Sequence, residues 1–181
     1  SLIETIKSRR TIHQFRSDKA VELALVEQAI EQAVWAPNHH LSHPWRFKLL
    51  GPETQERICQ LNAEIVRDKK GDGVAELKLK RWRKMPGWLL LSCVMSDDAV
   101  RQQEDYAACC GVAQNLGLIL WESGVGMKWT TGAVTRDQRF YDIVQLQMTE
   151  QFVVGLFWFG YPEETPAAIR PPLTDFLQIL P

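Results

Sequence analysis

The chain has 181 residues, 45% of them hydrophobic and 24% charged, which suits one domain with a sizeable core. Its formal net charge of −1 gives no global electrostatic reason to bind nucleic acid or an anionic membrane. The longest apolar runs, around Trp88–Met95 and Phe152–Phe159, are too short to span a bilayer.

Leu2–Ser8 reads as a short helix. Glu22–Ala36 reads as a longer amphipathic one, because Leu23, Val26, Ile30 and Val34 recur at helical spacing and Pro37 ends the pattern. Trp45–Leu50 is a predicted strand turned by Gly51-Pro52, and Glu53–Val66 a predicted helix. Arg67–Trp88 is charged, contains Gly71-Asp72-Gly73, and carries Lys78, Lys80, Arg81, Arg83 and Lys84. It is expected to be a partly helical surface excursion, either a solvated face or a cover that attracts an anionic cosubstrate.

Trp88–Ser96 is a strongly apolar strand. Gln103–Ser123 is a long helix, apolar on most sides and rich in Ala and Gly, which predicts a central, buried position. Gly124–Gly126 breaks it, Met127–Thr131 follows as a strand, Arg136–Val144 as a short helix and Gln151–Gly160 as a buried strand. Tyr161–Pro181 holds five of the nine prolines and is expected to lie extended across another surface as an arm. One domain, 1–181, is expected, with no internal repeat.

None of the four cysteines, Cys59, Cys93, Cys109 and Cys110, has metal-ligand or CxxC spacing. With no signal peptide read at the start, free thiols in a reducing, cytoplasmic compartment are expected. The small-residue run Ala107-Ala108-Cys109-Cys110-Gly111 reads as close helix packing. Seven tryptophans serve core packing or stacking on a planar ligand.

Two runs carry the chemistry. Ser8-Arg9-Arg10-Thr11-Ile12-His13-Gln14-Phe15 places two guanidinium groups and a hydroxyl at the end of a helix. Those groups suit a phosphate, or form a solvated patch. Ala36-Pro37-Asn38-His39-His40-Leu41-Ser42-His43-Pro44-Trp45 ends the next helix in a ring-rich turn. Its His39, His40 and His43 suggest zinc at first sight. Adjacent His39 and His40 are expected to diverge, however, with no acidic or thiolate partner nearby in sequence, so no metal is expected. A third run, Gly124-Val125-Gly126-Met127-Lys128-Trp129-Thr130-Thr131-Gly132, joins a glycine turn, a strand and a small-residue loop that lets backbone approach a ring. No GxGxxG or GxSxG is present, so a Rossmann site and a hydrolase elbow lack support.

Helix, arginine pair, helix and then Ala-Pro…Pro-Trp resembles the opening of the FMN-dependent nitroreductase family, and the likeness extends over almost the whole chain. The resemblance implies an α+β fold, a mostly antiparallel central sheet surrounded by helices. It implies an intertwined homodimer with FMN at the subunit interface. By this likeness Arg9, Thr11 and Arg170 hold the FMN phosphate and ribityl chain, with Arg10 contributing backbone or side chain. His13 stands at the pyrimidine edge, where the family commonly has Arg or Lys; a cation there would stabilise the reduced flavin, whereas an unperturbed imidazole is mostly neutral at pH 7. Thr130, Thr131 and Gly132 match the loop whose backbone amide meets flavin N5. The family's Asn-x-Gln-Pro-Trp is replaced here by Leu41-Ser42-His43-Pro44-Trp45. That departure resembles a small subgroup in which His39 and Trp35 line the shared site, Trp35 either stacking on the ring or capping the pocket. The implied activity is NAD(P)H-dependent, ping-pong reduction of a small electrophile such as a nitroaromatic or quinone; a flavin-storage or sensing protein without turnover is the alternative.

Overall fold

A computed structural model describes all residues, Ser1–Pro181. Its frame is one antiparallel sheet in the order β1-β2-β4-β3, formed by β1 (Trp45–Leu49), β2 (Gly87–Val94), β3 (Gly126–Thr130) and β4 (Gln151–Gly160). The two central strands are the two most apolar segments of the chain. Strands buried on both faces need continuous rather than alternating hydrophobicity.

Alternate residues of these strands feed two cores. On one face Trp88, Leu90, Leu156 and Trp158 pack with Ile58 and Leu61 of α3 (Pro52–Lys70), Trp82 of α4 (Asp72–Trp82) and Phe140 of α6 (Gln138–Ile143). On the other, Leu89, Leu91, Phe157 and Phe159 pack with Val26 and Ala29 of α2 (Leu23–Ala33) and with Cys109, Val112 and Leu116 of α5 (Ala99–Glu122). Burying one Leu or Phe side chain stabilises by about 1.5–3 kcal/mol, so these two layers dominate the fold.

The charged excursion is more regular than expected. α3 continues to Lys70, and α4 folds back beside it after Gly71. Arg67, Lys69 and Lys70 occupy the last turn of α3, where cations complement the helix dipole. Only Ala75 and Trp82 of α4 are buried. α5 also differs from its expectation: it begins earlier, at Ala99, where the Asp98 carboxylate accepts from the backbone N–H groups of Val100 and Arg101. One of its faces is buried, while Glu104, Ala107, Gly111 and Gln114 lie on an open or half-open stripe. Helical periodicity in a helix rich in small residues cannot by itself reveal an unpaired face.

Beyond α1 (Leu2–Ser8), the chain runs along the free edge of β3. Thr11 forms a parallel bridge to Met127, and the Ile12 N–H donates to the Met127 carbonyl at 3.2 Å. Ile12 is fully buried, which anchors the arginine run beside the sheet. After β4 the chain lies extended apart from one 3-10 turn at Leu173–Asp175, and Ile169, Leu173, Phe176, Ile179 and Leu180 are all exposed. No helix is long and apolar enough to cross a membrane. The four cysteines are free thiols; burial, ahead of the neighbouring Glu56 charge, pushes the Cys59 thiol up to about 12.

Candidate functional site

The bridge between Thr11 and Met127 aligns the arginine run with β3. Arg9 and Thr11 then line a cleft of about 120 Å³ with Met127 and Trp129 of β3 and Ala113, Gln114 and Gly117 of α5. Two glycines make this possible. A Cβ on Gly155 of β4 would collide with the Trp129 indole, whose Nε1 donates to the Val154 carbonyl at 3.0 Å. A Cβ on Gly117 would lie 3.1 Å from Met127 Cε and 3.6 Å from Arg9 Cδ. The absent side chains let an indole wall and an arginine stem approach the sheet and α5.

The cleft is short of negative charge. Burial, then the charges of Arg170 and Arg10, pull the Arg9 guanidinium below its ordinary value. It remains a cation, because guanidinium does not lose its proton in proteins. No intramolecular hydrogen bond or ion pair to the Arg9 side chain is present. Arg10 instead secures backbone: its Nε donates to the Pro166 carbonyl at 3.1 Å and its Nη1 to the Lys7 carbonyl at 2.7 Å. The first of these contacts ties the C-terminal segment near Arg9, which brings Arg170 into the group. Thr130 Oγ1, at the end of β3, is buried without a hydrogen-bond partner. Convergent arginines with no acid, beside the Thr11 hydroxyl, suit an anionic, hydrogen-bonding ligand in the cleft, whereas Thr130 alternates to the other face of β3 with Lys128.

Thr131 and Gly132 are exposed just beyond β3. His13 is also exposed, and burial together with Lys128 and Arg81 holds its imidazole below its ordinary value. The cations that face it are Lys128 and Arg81. Sequence reading gave Lys128, Met127, Trp129 and Gln114 no role. Strand alternation of Met127 and Trp129 beside the arginine run was the available signal for the wall, whereas Gln114 belongs to a helix whose open face only packing defines.

Trp35 and His39 lie elsewhere. Trp35 is 86% exposed, and His39 borders a wide, open pocket of about 580 Å³ with Pro37, Asn38, Glu104, Ala107, Ala108 and Gly111. Within this chain neither meets Arg9. The turn is nonetheless defined. Asn38 Oδ1 accepts from the His43 N–H at 2.7 Å, Asn38 Nδ2 donates to Ser42 Oγ at 3.1 Å, and Ser42 Oγ donates to the buried Asp105 carboxylate of α5. These bonds hold His40, Leu41 and His43 at positive φ, conformations that side chains adopt at a cost. The backbone reversal corrects one expectation: His39 and His40 converge, with ring centroids 4.0 Å apart, and His39 Nε2 lies 4.0 Å from Glu104 Oε1. His43 turns away and stacks on Trp45.

Residues 6–161 match the sequence profile of the Nitroreductase family. The chain is 32% identical over 180 residues to the Bacillus subtilis (strain 168) protein named "Putative NAD(P)H nitroreductase YfhC", covering 96% of this chain and 91% of that one. Among solved structures, the nitroreductase-like family protein from Bacillus cereus superposes with a TM-score of 0.86 at 31% identity, covering 99% of this chain and 96% of the other. The FMN and NADPH-dependent nitroreductase NfnB from Sphigopyxis sp. strain HMH shares the fold, with a TM-score of 0.79 at 18% identity over 100% of this chain and 99% of that one. The chain belongs to the nitroreductase family.

Proposed function

We propose that this protein is an FMN-dependent oxidoreductase that uses NAD(P)H to reduce small electrophiles such as nitroaromatics or quinones. The observation that carries the reading is the unpaired, half-buried Arg9 beside Arg10, Arg170 and the hydroxyl of Thr11. The relatives agree with it: YfhC bears an NAD(P)H nitroreductase name, and NfnB is described as FMN- and NADPH-dependent. FMN, when bound, relays two electrons from a reduced nicotinamide to the acceptor. Arg9 and Arg170 hold its phosphate, Thr11 adds a hydroxyl, and Arg10 fixes the backbone around them. Thr130, Thr131 and Gly132 offer hydroxyl and backbone groups to the ring. No side chain of the cleft is needed as a nucleophile, and a single open face serves reductant and acceptor in turn.

The site is shared between two copies. Glu104, Ala107, Gly111 and Gln114 recur at helical spacing on α5, and this stripe joins the His39 pocket to the Arg9 cleft. Ala107 and Gln114 lie roughly 10 Å apart along the helix axis. A second copy packed antiparallel on this stripe brings its Trp35–His43 turn to the first copy's cleft, as a two-fold interface requires. The exposed apolar arm, about 161–181, then lies across the partner and covers Ile169, Phe176 and Ile179.

Anaerobic titration tests the function. The purified protein should be yellow, release FMN on heating, and bleach on addition of NADH or NADPH. A yellow protein that neither nicotinamide bleaches is a flavin carrier rather than a reductase. Release of FAD, or failure to bind any flavin after reconstitution, overturns the assignment.

A further inference from the structure

Across β3 from the wall of the flavin cleft lies a second cationic group that the proposed phosphate site does not use. Lys128 points from β3 to the face opposite Met127 and Trp129, with its Nζ 5.1 Å from the centroid of the Trp158 ring. Trp158 meets Trp82 edge-on at 4.9 Å, and Trp82 ends α4. That contact fixes α4 against β4, the strand that pairs with β3. Arg81 precedes Trp82, and Lys78 lies one turn earlier on the same side of the helix. His13 completes the group, two residues beyond the Thr11 bridge to Met127. No hydrogen bond or ion pair joins any of these four side chains to an acid. The acids of α4 and its surroundings are otherwise engaged: Asp72 and Glu76 with Arg67, Glu56 with Arg83, and Glu164 with Gln14. Burial, then Arg81 and Lys78, lower the Lys128 ammonium from its ordinary value, which reflects the same crowding of like charge.

We infer that His13, Lys78, Arg81 and Lys128 form a subsite for a phosphate monoester, the 2′-phosphate of NADPH, on the face of β3 opposite the Met127–Trp129 wall and next to the loop proposed to meet the ring. This inference rests on the proposed reductase activity and adds the choice between the two nicotinamides. Lys128 and Thr130 are two residues apart on one strand, about 6.6 Å, so the subsite adjoins the loop proposed to meet the ring. A nicotinamide stacked there has its adenosine end within reach of α4. A 2′-phosphate carries close to two negative charges near neutral pH and accepts several donors at once. NADH presents only a hydroxyl at that position. The role also gives a use to Lys78 and Arg81 of the Arg67–Trp88 excursion, both exposed and contributing little to the core.

The test compares two variants with the parent protein. In K78Q/R81Q both changes lie on the exposed face of α4; K128M keeps the aliphatic stem on Trp158 and removes the charge. The parent should have a higher kcat/KM for NADPH than for NADH. K128M, which removes one charge-assisted contact, should lower the NADPH-to-NADH ratio by about tenfold or more, K78Q/R81Q, which removes two, should lower it further, and K128R should retain most of it. Calorimetry with 2′,5′-ADP and 5′-AMP gives a readout apart from turnover: the parent should bind 2′,5′-ADP more tightly, and K78Q/R81Q should erase the difference. If K128M fails to fold, the surface double variant decides. An unchanged ratio together with equal binding of the two nucleotides overturns the subsite. So does a loss confined to a carboxylated acceptor such as 4-nitrobenzoate relative to nitrobenzene, which would assign the cations to the acceptor. A protein that oxidises neither nicotinamide but still prefers 2′,5′-ADP would refute the reductase reading and leave the subsite standing.

Discussion

The Arg9 cleft and the His39 turn lie against neighbouring stretches of one face of α5, and they are built in opposite ways. The cleft is assembled from three parts of the chain: the segment after α1, strand β3 and the middle of α5. Its walls are backed by core, through fully buried Ile12 and the Phe157 ring 5.2 Å from Trp129. The turn is local. Asn38, Ser42 and Asp105 hold its backbone, while Trp35, His39 and Leu41 project outward with little of this chain against them. A pocket backed by core can hold a ligand in one subunit, whereas a rigid turn with outward rings is suited to completing a surface on another. Spending backbone strain at three non-glycine residues to fix exposed rings makes physical sense if a partner receives them.

The sharpest way to break this comparison is Arg9→Ala. Removing one charge-assisted contact costs about 1.5–3 kcal/mol, so FMN binding should weaken by roughly 10- to 100-fold, with riboflavin binding nearly unchanged. Arg9→Lys should recover only part, since an ammonium keeps the charge but loses the fork. Parallel titrations of apoprotein with FMN and riboflavin measure this. Equal losses for both ligands would show that Arg9 acts through the fold rather than through the phosphate.

Gly155→Ala attacks the cleft from behind. The new methyl occupies the position of the Trp129 indole and displaces it from the Val154 carbonyl. Overpacking of this kind costs about 1–3 kcal/mol, read as a lower midpoint in urea. Flavin affinity should fall with it, because Trp129 lines the cleft. A variant as stable as the parent would show that the indole has other room.

Asn38→Ala tests the turn alone. It removes three hydrogen bonds that hold the turn, to the His39 carbonyl, Ser42 Oγ and the His43 N–H, worth about 1.5–4 kcal/mol together. Thermal stability should drop, and FMN affinity should become more dependent on protein concentration as the shared surface loosens. Sedimentation across the same dilution series relates the two. A monomer that holds FMN as tightly as the dimer would refute the shared site.

The smallest effect concerns pH. His13 has a lowered value in the folded chain, from an ordinary 6.5, with burial as the first cause and Lys128 and Arg81 following. The unfolded chain therefore binds the proton more readily. Stability from this group is complete above the unfolded value and is lost as pH falls from about 6.5 toward the lower folded value. His13→Gln should flatten that part of the stability–pH profile. Urea midpoints at pH 7.5, 6.5 and 5.5 measure the difference, and an unchanged slope would show that His13 titrates freely.

Much of the frame was legible in the residues. The apolar runs of β2 and β4 announced doubly buried strands, Pro37 marked a helix end, and the Arg9-Arg10-Thr11 run stood out as a phosphate candidate because several donors of the right kind occur together. The family opening supplied the expected roles of Arg170 and His39, which no local pattern links to Arg9. Other features required tertiary structure because they depend on contacts between distant segments. Ile12 had to dock on the edge of β3 before Met127 and Trp129 could become the wall opposite Arg9, and Gly117 and Gly155 matter only once another side chain occupies their space. The convergence of His39 and His40 followed from left-handed backbone held by the distant Asp105. The meeting of Lys128 with Lys78 and Arg81 followed from a tryptophan contact between β4 and α4. Sequence spacing encodes local periodicity, whereas which unpaired charges face one another is decided only when the layers pack.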